Sequence, residues 1–175
     1  MIISRGPQLP AAEGLVFSEA GFDDGPELEE LYDEAQAAIE ELTGAPLLAA
    51  DVQSLYISVP PGRSHDDKAL LVARGANGET EIAALADVIR DHPRPGIWWI
   101  GFIIVRPRLQ RRGVGRRVLA GVVDWAAAHG AGGVSLECPH TPAELHAFFA
   151  AAGFHLDSET DNGWIMTQEA ARKRA

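Results

Sequence analysis

Gly101-Phe102-Ile103-Ile104-Val105-Arg106-Pro107-Arg108-Leu109-Gln110-Arg111-Arg112-Gly113-Val114-Gly115-Arg116-Arg117 holds three elements in a row. The apolar, β-branched run from Ile100 to Val105 predicts a strand. Pro107 ends it, because proline offers no N–H to a strand ladder. Two glycines in a basic setting follow, Gly113 and Gly115. Then Val114, Val118, Val122 and Ala126 recur every fourth residue, with Leu119 and Val123 beside them, which predicts an amphipathic helix. Glycine lets a backbone approach a ligand with no Cβ in the way. The first N–H groups of a helix lack intrahelical partners, and with the helix dipole they suit a phosphate. By themselves the glycines are equally consistent with a tight turn.

Two phosphate-binding patterns are excluded. No Gly-Lys-Ser/Thr follows, so this is not a Walker loop, and Val118 stands where the dinucleotide fingerprint needs its third glycine. Val105-Arg106-Pro107 followed by Gln110 to Gly115 resembles motif A of the GNAT acetyltransferases: a strand ending V-x-P, then Q/R-x-x-G-x-G/A, then a helix. That resemblance implies that Gln110, Arg111, Arg112, Gly113, Val114, Gly115 and Arg116 hold the pyrophosphate of acetyl-coenzyme A. It also implies a splay between the fourth and fifth strands. There the main chain of Ile103, Ile104 and Val105 meets the pantetheine arm and the thioester oxygen.

Composition bounds the rest. The chain has 175 residues, 46% of them apolar, which suits one domain with one core. No apolar run approaches the ~20 residues of a membrane span. MIISRGPQLP lacks the apolar centre of a signal peptide, so a cytoplasmic protein with no membrane partner is expected. Cys138 is the single cysteine, which excludes an intramolecular disulfide and a cysteine-based zinc cage; no metal is expected. The net charge of −10 argues against a nucleic-acid partner. Yet six of the fifteen basic residues lie between Arg106 and Arg117, as a solvated helix start or as a socket for a polyanion.

In chain order, residues 1–13 read as an irregular arm and Gly14 to Ala20 as a first strand. Glu27 to Leu42 reads as an amphipathic helix ended by Gly44 and Pro46, its opposite face acidic and solvated. A short helix is expected over Asp51 to Tyr56, then a loop from Pro60 to Asp67 that is either a lid or a plain surface loop. Ala69 to Ala73 and Glu81 to Ile89 predict two strands joined by a tight Asn77-Gly78 turn. Ile97 to Val105 is the long central strand, with Trp98 and Trp99 on opposite faces unless a bulge intervenes. After the basic helix come a strand over Val134 to Cys138, a helix over Ala143 to Ala152, and strands near Phe154 to Asp157 and Gly163 to Thr167. A charged tail runs from Gln168. The strand–helix–strand unit implies a parallel crossover.

This order matches the GNAT arrangement from about residue 14 to 167. It predicts a single-domain α/β (α+β) fold with a mixed, mostly antiparallel sheet of six to seven strands and about four helices. Gly153-Phe154 is a second landmark of that family. The residue four before the glycine is usually a tyrosine that protonates the departing thiolate; here it is Phe149, and Pro142 replaces a common asparagine. A thiol of ordinary pKa ~8.5 is a tolerable leaving group near neutrality.

Acetyl transfer to an amine also needs a group that takes the ammonium proton. Glu137 is the first candidate, at the end of the fifth strand, where partial burial would raise its pKa. Asp87, in the apolar stretch LADVIR, is next, as an acceptor-pocket residue or an edge residue. His140 and His146 are weighed as structural, and Cys138 as an inert buried thiol. The leading function is transfer of acetyl to a primary amine of a small molecule, with homodimer formation left open. The alternatives are a protein, peptide or aminoacyl-tRNA acceptor, or an acyl-coenzyme A binding domain without turnover, which Phe149 keeps open.

Overall fold

The computed structural model describes residues 9–46 and 49–170. Seven strands form one sheet: β1 (Leu15–Glu19), β2 (Lys68–Gly75), β3 (Ile82–Ile89), β4 (Ile97–Val105), β5 (Gly133–Pro139), β6 (His155–Glu159) and β7 (Gly163–Glu169). Their order across the sheet is β1-β2-β3-β4-β5-β7-β6. Every neighbouring pair is antiparallel except β4 and β5, which are parallel. Helices α1 (Gly25–Thr43) and α2 (Ala49–Ile57) precede β2, α3 (Val114–Ala128) crosses from β4 to β5, and α4 (Ala143–Ala151) follows β5.

The sheet separates two apolar cores, as a sheet with helices on both faces must. On one face Val118, Leu119, Val122 and Ala126 of α3 and Phe149 of α4 pack on Leu71, Ala86, Trp98, Ile100, Val134 and Leu136. On the other, Leu28, Leu31 and Tyr32 of α1 pack on Leu70, Val72, Ile82 and Leu85. α1 ends where expected, at Gly44 in the left-handed region (φ 73°). Ala38 and Leu42, within the stretch read as amphipathic, are exposed.

Three expectations need correction. The link from β2 to β3 is not a two-residue turn: it spans residues 76–81, and of Asn77 and Gly78 only Gly78 takes positive φ (88°). The Arg74 side chain closes the longer link by donating from Nε to the Thr80 carbonyl at 2.6 Å. The acidic face of α1 is only partly solvated. Glu27 accepts from the Ile82 N–H and pairs with Arg74 (3.1 Å), while Glu34 pairs with Arg106. Finally, β7 runs on through Gln168 and Glu169, and Ala170 is buried, its N–H bonded to the Gly132 carbonyl (3.1 Å). Residues 1–8 of the expected arm and 171–175 of the expected tail lie outside the described residues; Leu9 packs against the α3-side core, and Ala12 bridges to Leu15.

β4 carries the feature that positions the site. Trp98 and Trp99 do face opposite ways. Trp98 is buried against Trp125 of α3, rings 4.8 Å apart and edge-on, and Trp99 meets His92 at 5.8 Å. The bulge lies just beyond them: Val88 pairs with Ile100 and Asp87 with Phe102, so Gly101 has no partner in β3. Parity flips there, as one extra residue requires. Ile103 and Val105 then join the α3-side core and Phe102 and Ile104 the α1-side core.

Candidate acetyl-transfer site

The ladder between β4 and β5 is short. It runs from Ile97–Gly133 to Ile100–Leu136 and stops. Beyond it, Glu137, Cys138 and Pro139 pair only with β7, on Ile165, Trp164 and Gly163. Gly101 to Val105 therefore have no ladder partner in β5. The break coincides with the bulge at Gly101, since a bulge turns a strand and increases its twist.

This opening leads to the glycine loop. A short 3₁₀ turn, Pro107–Leu109, follows β4, and Gln110 donates from Nε2 to the Val105 carbonyl (3.1 Å), fixing the loop to the strand end. Arg111 (φ 62°) and Gly113 (φ 80°) take left-handed backbones, which aim the next N–H groups to one side. Arg117 makes the first intrahelical bond, to the Gly113 carbonyl (3.1 Å). The N–H groups of Val114, Gly115 and Arg116 are thus free of intrahelical partners at the positive end of α3. Nothing lies within 4 Å of where a Cβ on Gly113 would point, whereas one on Gly115 would meet the Phe148 ring at 3.2 Å. The loop is open on one side and closed on the other by α4.

The basic cluster divides. Arg106 is 1% exposed; it donates from Nε to the Ile82 carbonyl (2.9 Å) and pairs with Glu34 and with Glu81 (3.3 Å). Its Nη2 lies 4.0 Å from Glu27, too far for a hydrogen bond. Arg108 pairs with Glu81, and Arg117 donates to the Glu13 carbonyl (3.0 Å). Arg111, Arg112 and Arg116 are exposed and have no carboxylate partner among the described residues. Half of the cluster holds α1 and the N-terminal segment in place, and half remains for a polyanion. A cleft of about 560 Å³, lined by Leu15, Asn77, Glu79, Arg112 and Arg117 among others, lies on the β1–β2 side of the loop, apart from the strand opening.

The two candidate carboxylates lie on the α1 side of the sheet. Glu137 is the first β5 residue past the broken ladder. It is exposed, not partly buried as expected, because β4 has moved away and left it open; its Oε1 accepts from Thr160 Oγ1 at 2.6 Å. Asp87 is buried, and Lys68 of β2 donates from Nζ to its Oδ1 at 2.6 Å. Burial pushes the Asp87 pKa up, and the Lys68 ammonium opposes that rise. Burial, then the charges of Asp87 and Asp51, also push the Tyr32 phenol well up.

The other candidates face elsewhere. His140 and His146 sit edge-on to Trp164 of β7, at 4.7 and 5.1 Å, and His140 Nε2 lies 3.5 Å from Glu159. Both are on the α4 face, away from the two carboxylates. Phe149 is buried between Phe148 (5.2 Å) and Phe154 (6.1 Å). Cys138 is buried, and burial raises its thiol pKa, as an inert thiol requires. The Pro60 to Asp67 loop is pinned at its end by the Arg90 N–H on the Asp67 carbonyl (2.7 Å). Lys68 and Gly101 went unnoticed in the sequence, although an isolated glycine inside a strand pattern is a bulge signal. Among the described residues no group of histidine, cysteine and carboxylate side chains is placed to hold a metal, and no helix is long and apolar enough to cross a membrane.

Solved structures share this architecture. An acetyltransferase from Thermus thermophilus superimposes with a TM-score of 0.72 at 18% identity, over 90% of this chain and 98% of that one. The ribosomal-protein-S18-alanine N-acetyltransferase from Escherichia coli gives 0.64 at 17%, over 90% and 94%. The PaiA N-acetyltransferase from Thermoplasma acidophilum, in complex with coenzyme A, gives 0.64 at 11%, over 89% and 98%. At these identities the likeness concerns the fold. A search of curated proteins returned no match. A sequence model of the acetyltransferase (GNAT) family matches residues 28–154, from the first turn of α1 to the Gly153-Phe154 landmark. With the broken β4–β5 ladder and the free N–H groups of α3 inside that span, the chain belongs to the acetyltransferase (GNAT) family and is an acetyl-coenzyme A-dependent acetyltransferase of that type.

Proposed function

We propose that the protein transfers the acetyl group of acetyl-coenzyme A to a primary amine of a small molecule, by direct attack of the amine on the thioester. The observation that carries this reading is the continuity of the strand opening with the free N–H groups at the start of α3. In it, Gln110 to Arg116 hold the pyrophosphate, with charge from Arg111, Arg112 and Arg116. The main chain of Ile103, Ile104 and Val105, which lacks a ladder partner on the β5 side, takes the pantetheine arm and donates to the thioester oxygen, a preorganised donor that needs no rearrangement during reaction. Phe149 supplies an apolar wall and no proton, so the thiolate leaves unassisted or takes a proton from water.

The amine must be neutral to attack, and an alkylammonium of pKa near ~10 is almost wholly protonated at pH 7. Asp87 and Glu137 are the carboxylates on the acceptor side. An acidic acceptor side beside a basic cofactor loop favours a cationic small molecule over a nucleic acid, whose phosphates it would repel. The test is turnover of acetyl-coenzyme A against a panel of small amines, N-terminal peptides and charged tRNA. Acetylation of small amines alone is expected. Turnover restricted to peptides or tRNA would replace the acceptor class, and tight coenzyme A binding with no turnover would favour a binding domain, the reading that Phe149 supports.

A further inference from the structure

Gly101 and Asp87 occupy the corner where the β4–β5 ladder ends. Asp87 is rooted in β3, one strand away from β4 and two from β5. Across an ordinary sheet, two strand spacings amount to about 10 Å. Its side chain does not stand straight up from β3. A Cβ built on Gly101 would lie 2.9 Å from Asp87 Oδ2 and 3.5 Å from its Cγ. The carboxylate therefore leans over β4 and fills the room a side chain at 101 would need. The bulge helps, since Gly101 is the β4 residue with no partner in β3. The other oxygen, Oδ1, is held by Lys68 from two residues along β2, a diagonal cross-strand pair. Oδ2 accepts no hydrogen bond among the described residues, and the Asp87 side chain keeps 12% of its surface against 5% for Lys68. One carboxylate oxygen is tied down and the other is presented at the strand opening.

We propose that the acceptor's primary ammonium docks on Oδ2 of Asp87, over Gly101, and that this oxygen takes its proton, with Lys68 and Gly101 as the residues that position the carboxylate. The inference rests on the acetyl-transfer reading above and deepens it. The balance is simple. Oδ2 removes one proton from R–NH₃⁺, the nitrogen lone pair forms the C–N bond, and the C–S bond breaks with its electrons on sulfur. The second ammonium proton goes to the thiolate or to water, and Asp87 returns its own to solvent. Lys68 keeps its charge throughout. The acceptor class follows from the surroundings. Oδ2 and Glu137 present negative charge on the same side, so an amine with a carboxylate on the adjacent carbon is repelled. A primary alkylamine without that carboxylate fits.

The test is calorimetric titration of n-butylammonium into the full chain, with and without saturating coenzyme A. The wild type is expected to bind it, and Asp87→Asn to bind about ten- to hundredfold more weakly, the usual loss of a hydrogen bond to a charged group. Gly101→Ala is expected to lose a similar factor, because its Cβ pushes Oδ2 aside. Gly101 does not have positive φ, so alanine fits its backbone, and the variant should still unfold cooperatively and bind coenzyme A. Wild-type protein that ignores butylammonium, or variants that both bind it as the wild type does, would overturn the proposal. Failure to bind coenzyme A would count instead against the cofactor residues named above, since the titration without coenzyme A still reports on Asp87.

Discussion

The two halves of β4 do opposite work. From Ile97 to Ile100 the strand is paired with β5, at Trp99 and Ile100 with β3 as well, and Trp98 is locked against α3. From Phe102 to Val105 it is paired on one edge only, and its side chains are half-buried. Gly101 separates the halves. The closed half contributes stability, and the open half leaves main-chain groups for a ligand. Such groups would be costly if buried without partners, so an opening of this kind lies at the surface, where water or a ligand satisfies them.

The sharpest way to break this comparison is at Trp98. Replacing it with alanine should cost about 3–5 kcal/mol, the usual range for a large core aromatic, measured by denaturant unfolding. Ile103→Ala, in the open half, should cost clearly less, because Ile103 is only partly buried. Equal losses would mean that the open half is as tightly built as the closed one.

A second effect concerns pH. If Asp87 takes the proton, kcat/KM for an amine should fall as pH falls through the Asp87 pKa, which burial holds above the ordinary aspartate value. Lys68 lowers that pKa, so Lys68→Met should move the acidic limb to higher pH. For stability the sign is the reverse of the usual carboxylate. With its folded pKa above its unfolded one, Asp87 opposes folding above that window, and the penalty is relieved as pH falls through the folded pKa. An acidic limb unmoved by Lys68→Met would place the proton on another group. Glu137→Gln is the smaller change. An exposed charge acts through screened attraction, worth roughly 0.2–1 kcal/mol, so KM for a cationic amine should rise only about two- to fivefold. A loss of kcat above a hundredfold would make Glu137 the base.

Much of this was legible in the chain. The β-branched run, Pro107 and the glycine pair mark strand, loop and helix through local chemistry alone. The mixed sheet, mostly antiparallel with one parallel crossover, followed from the element order and the family resemblance. What escaped depends on partners far along the chain. A bulge is defined by pairing, so Gly101 alone could not place it. Arg106 looked like part of an anion socket, yet its fork turns inward to Glu34 and Glu81 on other elements. Glu137 was expected among apolar neighbours, but its exposure is set by how far β4 departs from β5. Asn77-Gly78 suggested a tight turn, and the Arg74 bond to Thr80 selects a longer one.

The division of the arginines supplies the most direct test of the cofactor loop. Coenzyme A should be titrated calorimetrically at low and high salt into the wild type, the double variant Arg111→Ala/Arg112→Ala, and Arg108→Ala. The wild type should take one coenzyme A per chain, with affinity that falls as salt is added. The double variant should bind at least about tenfold more weakly with a shallower salt dependence, as loss of phosphate-paired guanidiniums predicts, while Arg108→Ala, whose guanidinium is already paired with Glu81, should bind as the wild type does. No binding by the wild type, or equal affinity in all three proteins, would contradict the account.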